Sequence, residues 1–130
     1  MIYFDYAASS PVYPSVLDTM DAVSRETYAN PSSLYIIGYS AKKLLHESRS
    51  VLSHSIGAES DEIVFTSGGT ESNNLALFGV LHAERQKKHV IVGCTEHPSV
   101  LSVAHALERN GFTLSILPCN TSGRYSPEEL

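Results

Sequence analysis

The sequence predicts an α/β fold in which a mainly parallel sheet is flanked by helices. Two observations lead to this class. In the second half of the chain, short apolar runs rich in strand formers alternate with helical patterns in the order strand, helix, strand, helix, strand, which is typical of βαβ units. Two of these runs, at 63–65 and 90–92, are continuously apolar, as parallel strands buried on both faces are.

The first half of the chain predicts one short strand and two helices. Ile2–Phe4 is an apolar run that ends at polar and small residues, as a short strand does. A helix begins at Pro14, because a first turn tolerates proline, and apolar residues at helical spacing extend it to about Tyr28. A second helix begins at about Ser40 and ends before Gly57, a residue suited to the position after a helix.

The second half of the chain contains the predicted sheet. Three strands are predicted, at 63–66, 89–93 and 112–117. The helix after the first strand has Glu71 in its first turn, and the helix after the second begins at Pro98 and is ended by Asn110 and Gly111. The closing residues 126–130 resemble the start of a further helix.

The composition is that of a folded protein and excludes several classes of function. The 130 residues are 42% hydrophobic and 18% charged, unlike disordered or collagen-like chains. The net charge is −5 and the longest basic cluster spans only residues 85–89, so nucleic acid is not an expected partner. No apolar run approaches the roughly 18 residues of a membrane span. The lack of a signal-peptide pattern and the two isolated cysteines favour a cytoplasmic location.

The turn that leads from the first strand into the next helix is the best candidate for a binding site. Ligands of open α/β sheets lie beyond the carboxyl ends of the strands, and Ser67–Thr70 occupies such a place. Unpaired N–H groups, the helix dipole and glycines that let an anion approach all favour a phosphate there. An ordinary tight turn before a capped helix has the same spacing, so the residues alone leave both interpretations open.

His97 follows the second strand, next to the start of a helix. An imidazole in that place could stack on a planar ligand or move a proton near neutral pH. The simpler interpretation is a partly exposed histidine without a chemical role. The spacing does not separate the two.

Cys94 and Cys119 each follow a predicted strand and are candidate nucleophiles. Cysteine is among the most buried residue types, so core packing is favoured for both. A metal site is not predicted, because the six histidines are scattered and no metal-ligand spacing occurs.

Segments spread along the chain resemble one family. They are Tyr3–Pro11, Asn30–Ser33, Ile63–Asn74 and Thr95–Val100. Together they resemble the cysteine desulfurases, which belong to the class V aminotransferase group of pyridoxal-phosphate (PLP) enzymes. The similarity runs from Ile2 to Leu130. Tyr6 and Tyr35 depart from the pattern, which commonly has Asn and His at these places, so the resemblance does not define the fine shape of the substrate pocket.

The resemblance implies the amino-terminal part of a fold type I PLP-dependent transferase, with a three-layer αβα architecture. Residues 1–14 would belong to the small domain, and residues 15–130 to the first part of the large PLP-binding domain. By length alone the chain would form one modest domain. The resemblance instead implies a cut inside a larger one, because family members are much longer.

The resemblance also implies roles for single residues. Gly69 and Thr70 would cradle the phosphate of the cofactor. His97 would be the catalytic residue that stacks on the pyridine ring and assists proton transfer. Three further positions would lie near the substrate pocket: Ala7, Ala8 and Asn30.

The implied reaction converts L-cysteine to L-alanine and passes the sulfur to an enzyme cysteine as a persulfide. A sulfur-acceptor protein would then receive it for iron–sulfur cluster or thio-cofactor synthesis, and the enzyme would be a homodimer or other homo-oligomer. The lysine that binds PLP is expected beyond this chain. Lys42 and Lys43 lie on a predicted helix, whereas Lys87 and Lys88 precede a strand at its wrong end. The 130 residues alone are therefore expected to be inactive.

Two alternatives stay open. Selenocysteine lyases and other class V members share this amino-terminal pattern, so the substrate could differ. A non-enzymatic binding or assembly module would use the sheet without any reaction. A stop codon directly after Leu130 would favour the module, whereas continuation into a lysine-bearing segment would favour the enzyme.

Overall fold

The computed structural model describes residues 2–84, 86 and 88–129. The chain divides into two compact units between Val64 and Phe65, and each is described by itself. The division between residues 14 and 15 that the resemblance implies stays a prediction. Lys87 and Leu130, on which sequence-based predictions fall, lie outside the described residues.

The first unit contains two helices. Helix α1 spans Pro14–Glu26 with proline in its first turn, as predicted, and ends slightly before Tyr28. Helix α2 spans Ile36–Ile56 and ends at Gly57, whose φ of 69° is left-handed, a conformation that favours glycine. A 3-10 turn, Ser60–Glu62, follows.

Helix α2 begins before the predicted Ser40, and tertiary packing explains the difference. Gly38, in its first turn, is buried, and a Cβ at this position would overlap Ser33. The helix therefore packs closely on the Asn30–Ser33 turn, which the sequence signals of helix starts do not report.

Two predicted strands are absent from the described residues. Ile2–Phe4 is irregular, with 91% of Phe4 exposed, and the Tyr3 hydroxyl instead donates hydrogen bonds to the carbonyls of Asp5 and Ser9. The run 63–66 is also irregular, with 63% of Val64 exposed. Both predictions were wrong because a strand needs another strand to complete its ladder, and in the described part of the chain only β1 and β2 pair as strands.

The second unit contains the sheet. Helix α3 spans Gly69–Ala83, strand β1 His89–Gly93, helix α4 Pro98–Arg109 and strand β2 Thr113–Leu117. The strands pair in parallel, from His89 opposite Thr113 to Gly93 opposite Leu117. β1, α4 and β2 therefore form the predicted βαβ unit. The predicted closing helix is a 3-10 turn, Pro127–Glu129.

The core of the second unit lies between the sheet and the helices. Buried side chains from β1 and α4 form it: Val90, Val92, Val103, Ala104 and Leu107. Residues of α3 pack against this cluster: Leu77, Phe78 and Leu81. Ile91 on β1 and Ile116 on β2 are each 43% exposed, so the expectation that the run 90–92 is buried on both faces was wrong. Helices cover one face of the two strands, and no described residue of this unit buries the other.

The described residues contain no helix that is long and apolar enough to cross a membrane.

Candidate functional site

The amino terminus of α3 has the free donors that an anion site requires. The first helical hydrogen bond runs from Ser72 N to Gly68 O at 3.1 Å. The N–H groups of Gly69, Thr70 and Glu71 therefore precede the helical ladder. No side chain among the described residues caps the helix at Gly68. The dipole of a 15-residue helix adds positive potential at this end.

Hydrogen bonds hold the loop before α3 in one shape. The hydroxyls of Thr66 and Ser72 lie 2.7 Å apart. The Glu71 carboxylate accepts hydrogen bonds from Ser67 N at 2.7 Å and Ser67 Oγ at 2.6 Å. These bonds stabilise the ionised form and lower the pKa of Glu71 below its usual 4.5. The loop is thus organised by its own residues before any ligand binds.

Glu71→Gln is expected to remove a pH-dependent part of the stability. The pKa of Glu71 is lowered in the folded state, so its contribution is present above the unfolded pKa, near 4.5, and is lost as pH falls through the lower folded value. As pH falls from about 4.5 towards the lower folded value, the free energy of unfolding should fall less steeply in Glu71→Gln than in the wild type. Urea titrations at several pH values measure it. Ser67→Ala, which removes one of the two donors, should show a smaller effect of the same sign, and parallel pH profiles for all three proteins would contradict the assignment.

The two glycines at this end of α3 face open space. A Cβ at Gly68 or Gly69 would meet no heavy atom of the described residues within 4 Å. Gly68 is extended, with φ of 162° and ψ of 179°, and Gly69 is the first residue of the helix, so neither needs a left-handed backbone. The protein's own packing does not require glycine here, whereas the close approach of an anion to the main chain would.

His97 caps the start of α4. Its Nδ1 atom accepts a hydrogen bond from Ser99 N at 3.1 Å and lies 2.8 Å from Ser99 Oγ. An Nδ1 atom that accepts from a backbone N–H leaves Nε2 as the ring nitrogen that carries a proton. The side chain is exposed, which leaves Nε2 accessible to a ligand.

A hydrogen bond joins the first turns of α3 and α4. Asn73 Nδ2 donates to Ser99 Oγ at 2.8 Å, and Ser99 is buried. The Ser99 hydroxyl accepts from Asn73, so its own proton is free for His97 Nδ1. The structure therefore brings the end of α3 that bears Gly69 and Thr70 together with the end of α4 that bears His97.

Asn73 and Ser99 were not among the sequence candidates. The position of Ser99, two residues after a histidine and next to a proline that opens a helix, was a usable signal for a local cap. The bond from Asn73 joins residues 26 apart in the chain, and no local pattern indicates it.

Tyr125 holds the segment between β1 and His97. Its hydroxyl accepts a hydrogen bond from Thr95 N at 3.2 Å and also bonds to the Thr95 hydroxyl. A Cβ at Gly93 would overlap this hydroxyl, so a larger residue at this position would require the Tyr125 side chain to move. Sequence reasoning missed this contact, because it too joins distant residues.

The cysteines do not lie where the sequence predicts. Cys94 is exposed and Cys119 is half-buried, so the expectation of core packing was wrong for Cys94 and overstated for Cys119. Cys94 directly follows the last residue of β1, and Cys119 follows the last residue of β2 after one proline. Their sulfur atoms lie 3.5 Å apart.

The other predicted pocket residues belong to the first unit. Ala7 and Ala8 form an exposed turn in which Ala8 N donates to Asp5 O at 3.1 Å. Asn30 opens its own turn, and its Oδ1 atom accepts from Ser32 N at 2.9 Å. No hydrogen bond found within the described residues of this unit joins the two turns.

The lysines lie on helix α2 and before β1. Lys42 and Lys43 are exposed on α2. Lys88 precedes β1, and a five-residue strand spans roughly 16 Å. Lys88 therefore lies at the end of β1 opposite to His97. Within the described ranges, His, Cys, Asp and Glu form no group of three that could hold a metal ion.

Comparison with known proteins identifies relatives over the whole chain. The sequence profile of class-V aminotransferases matches residues 2–130. A cysteine desulfurase IscS of Dictyoglomus turgidum is 42% identical over 130 residues, which is 99% of this chain and 33% of that protein. A NifS/IcsS protein homolog of Lactobacillus delbrueckii subsp. bulgaricus is 44% identical over 131 residues, covering 100% of this chain and 34% of its own length. The chain thus spans about a third of these curated relatives.

Solved structures have the same fold. A NifS-like protein superposes with a TM-score of 0.91 at 33% identity, over 98% of this chain and 35% of its own. A structure described as SspA in complex with cysteine gives a TM-score of 0.81 at 39% identity, over 89% of this chain and 34% of its own. The predicted α/β class is confirmed by this likeness, and with a sequence profile that matches from residue 2 to residue 130, the chain belongs to the class-V aminotransferase family.

Proposed function

We propose that the protein is a PLP-dependent cysteine desulfurase, which converts L-cysteine to L-alanine and transfers the sulfur to an enzyme cysteine as a persulfide. The observation that carries the proposal is the pairing of two helix amino termini through the Asn73–Ser99 hydrogen bond. One terminus has free N–H donors, and the other has a histidine whose Nδ1 atom is held by Ser99. Curated relatives named cysteine desulfurase match 99% of the chain at 42% identity, which supports the same conclusion.

The residues at α3 fit a cofactor that carries a phosphate. The N–H groups of Gly69 and Thr70 precede the helical ladder, and the Thr70 side chain adds a hydroxyl donor. The open space beside Gly68 and Gly69 allows phosphate oxygens to approach the main chain. Gly69 and Thr70 would therefore hold the phosphate, and PLP, when bound, supplies the electron sink for the reaction.

His97 would act at the reacting end of the cofactor. Its Nδ1 atom is occupied by Ser99, so only Nε2 can exchange a proton with the substrate. The bonds through Ser99 to Asn73 fix the ring orientation before substrate arrives. His97 is thus positioned to move a proton at Nε2 and to stack on a planar ring, the role that the family resemblance implies.

Other features of the proposed enzyme involve residues and proteins outside these 130 residues. Lys88 lies at the far end of β1 from His97, so we expect the PLP-binding lysine outside these 130 residues and expect them to be inactive alone. Ala7, Ala8 and Asn30 would lie near the substrate. We further propose that the enzyme is a cytoplasmic homodimer. An acceptor protein would receive its sulfur for iron–sulfur cluster or thio-cofactor synthesis.

The proposal is tested by turnover of the complete protein. With PLP and a thiol reductant, L-cysteine should give equal amounts of alanine and sulfide, whereas the 130 residues alone should not exceed a sample without protein. Alanine formation absent from the loaded complete protein would refute the function. Turnover by the 130 residues would refute the expected position of the lysine.

The same assay separates the substrate alternatives. L-selenocysteine replaces L-cysteine, and selenide is measured together with alanine. A cysteine desulfurase should release alanine from L-cysteine, whereas activity confined to L-selenocysteine would favour a lyase for that substrate.

A further inference from the structure

Two thiols meet where the paired strands end. The Cys94 N–H group, directly after β1, donates to Leu117 O at 2.9 Å and continues the ladder by one bond. Cys119 follows β2 after a single proline, and its sulfur lies 3.5 Å from the Cys94 sulfur. A disulfide has a sulfur–sulfur distance of about 2 Å. The two sulfurs therefore need to approach by only about 1.5 Å to reach bonding distance.

We propose that Cys94 and Cys119 form a redox-active dithiol, a modification site that low-molecular-weight disulfides oxidise to an intrachain disulfide. The proposal does not depend on the desulfurase reaction. It rests on the sulfur–sulfur distance, on the exposure of Cys94 and on the shared strand ends.

The pair is accessible from solvent on the side of Cys119. That residue lines an open cavity of about 510 Å³ together with Pro118, Asn120, Arg124 and Tyr125. The lining contains one cationic group, the Arg124 guanidinium, and one acidic group, the Glu129 carboxylate, so its charge does not exclude small disulfides of either sign. Cys94 itself is exposed, so a small reagent can reach either sulfur.

The two thiols differ in accessibility, since Cys94 is exposed and Cys119 is half-buried. The hydrogen bond with Cys94, followed by desolvation and the charge of Cys94, raises the pKa of the Cys119 thiol. The thiolate form of Cys119, which is the attacking species in thiol–disulfide exchange, is therefore disfavoured. Because Cys94 is the more exposed thiol, it is the residue that reacts first with the small disulfide.

The oxidation takes place in two exchange steps. The Cys94 thiolate attacks one sulfur of the small disulfide, whose S–S bond breaks and releases one small thiolate. Cys119 then loses its proton to solvent and attacks the Cys94 sulfur, which breaks the mixed disulfide and releases the second small thiolate. Overall the cysteine pair loses two electrons and two protons, and the small disulfide is reduced to two thiols.

The test is a peptide map of the complete protein after exposure to oxidised glutathione. Trypsin cleaves after Lys88, Arg109 and Arg124, so the peptides 89–109 and 110–124 each contain one of the two cysteines. We expect these peptides to appear joined, with the mass of two hydrogen atoms missing, and the separate alkylated forms to fall about tenfold. Added dithiothreitol should restore both. The oxidised protein that yields the joined peptides should run as a single chain on a non-reducing gel, because the disulfide is within one chain.

Single variants test the order of the steps. Cys119→Ser should keep glutathione attached at Cys94, because no second thiol displaces it. Cys94→Ser should acquire glutathione at position 119 more slowly than Cys119→Ser does at position 94, because Cys119 is half-buried whereas Cys94 is exposed. The peptide map of the wild-type protein still tests the disulfide if either variant fails to fold. Separate peptides in the oxidised wild type, persistent glutathione on Cys94, or joined peptides found only in a covalent dimer would overturn the proposal.

Discussion

Replacing His97 with alanine in the complete protein is expected to lower alanine release from L-cysteine by about 10²–10⁴-fold, the range that a positioned proton-transfer group contributes. The hydrogen bonds from Ser99 to Nδ1 leave Nε2 as the one ring atom that exchanges a proton with a ligand. Alanine has no group that can do this. Steady-state turnover at saturating PLP measures the effect.

The His97 side chain also caps α4, so a loss of activity has to be separated from a loss of stability. Removing a helix cap costs about 1 kcal/mol. His97→Asn keeps a side-chain acceptor at the cap position and removes the imidazole. It should therefore recover the stability lost in His97→Ala but not the activity.

His105→Ala is the matched control. This histidine lies on the same helix, is exposed, and lies 3.4 Å from a carboxylate oxygen of Glu108. Its removal should leave turnover within about twofold of the wild type, since surface substitutions have small effects. Near-normal turnover by His97→Asn would show that the helix cap, and not proton transfer, explains the effect of alanine.

Much of the second unit could be predicted from local sequence. Proline at the start of α4 and Asn110-Gly111 after its end are signals that act through the backbone of their own residues. Strand β1 was predicted with its observed bounds because its apolar run also packs on α4. A local sequence signal was sufficient to predict a helix or strand wherever that element also packs against a neighbouring element.

The remaining differences depend on partners distant in sequence. Ile63–Thr66 consists of strand formers, but strand propensity is expressed only when another strand completes the ladder. Cys94 lies one residue beyond the end of β1 and is exposed, which the apolar run before it does not indicate. The Asn73–Ser99 hydrogen bond, which gives the candidate site its geometry, joins two helices, and no pattern within either helix indicates it.

Gly69→Asp is expected to weaken PLP binding about 10²–10³-fold while the fold is kept. A carboxylate roughly 4 Å from a phosphate repels it by about 3–4 kcal/mol in a partly screened site. The same carboxylate suits the first turn of a helix, where it contributes about 0.3–1 kcal/mol of stability. A Cβ at this position meets no described heavy atom within 4 Å, so the substitution introduces no clash. Titration of the protein with PLP, followed by absorption, measures the affinity.

Gly79→Asp is the matched control for charge and for helix propensity. Gly79 lies on α3 as well, and a Cβ there also meets open space. Ten residues of helix separate it from Gly69 by about 15 Å, beyond the Debye length of about 8 Å at physiological salt. Its PLP affinity should stay within about twofold of the wild type. The two variants carry the same charge and differ in their distance from the amino terminus of α3. A lower PLP affinity in Gly69→Asp than in Gly79→Asp would locate the phosphate at that terminus. Equal affinities would exclude the phosphate from that terminus.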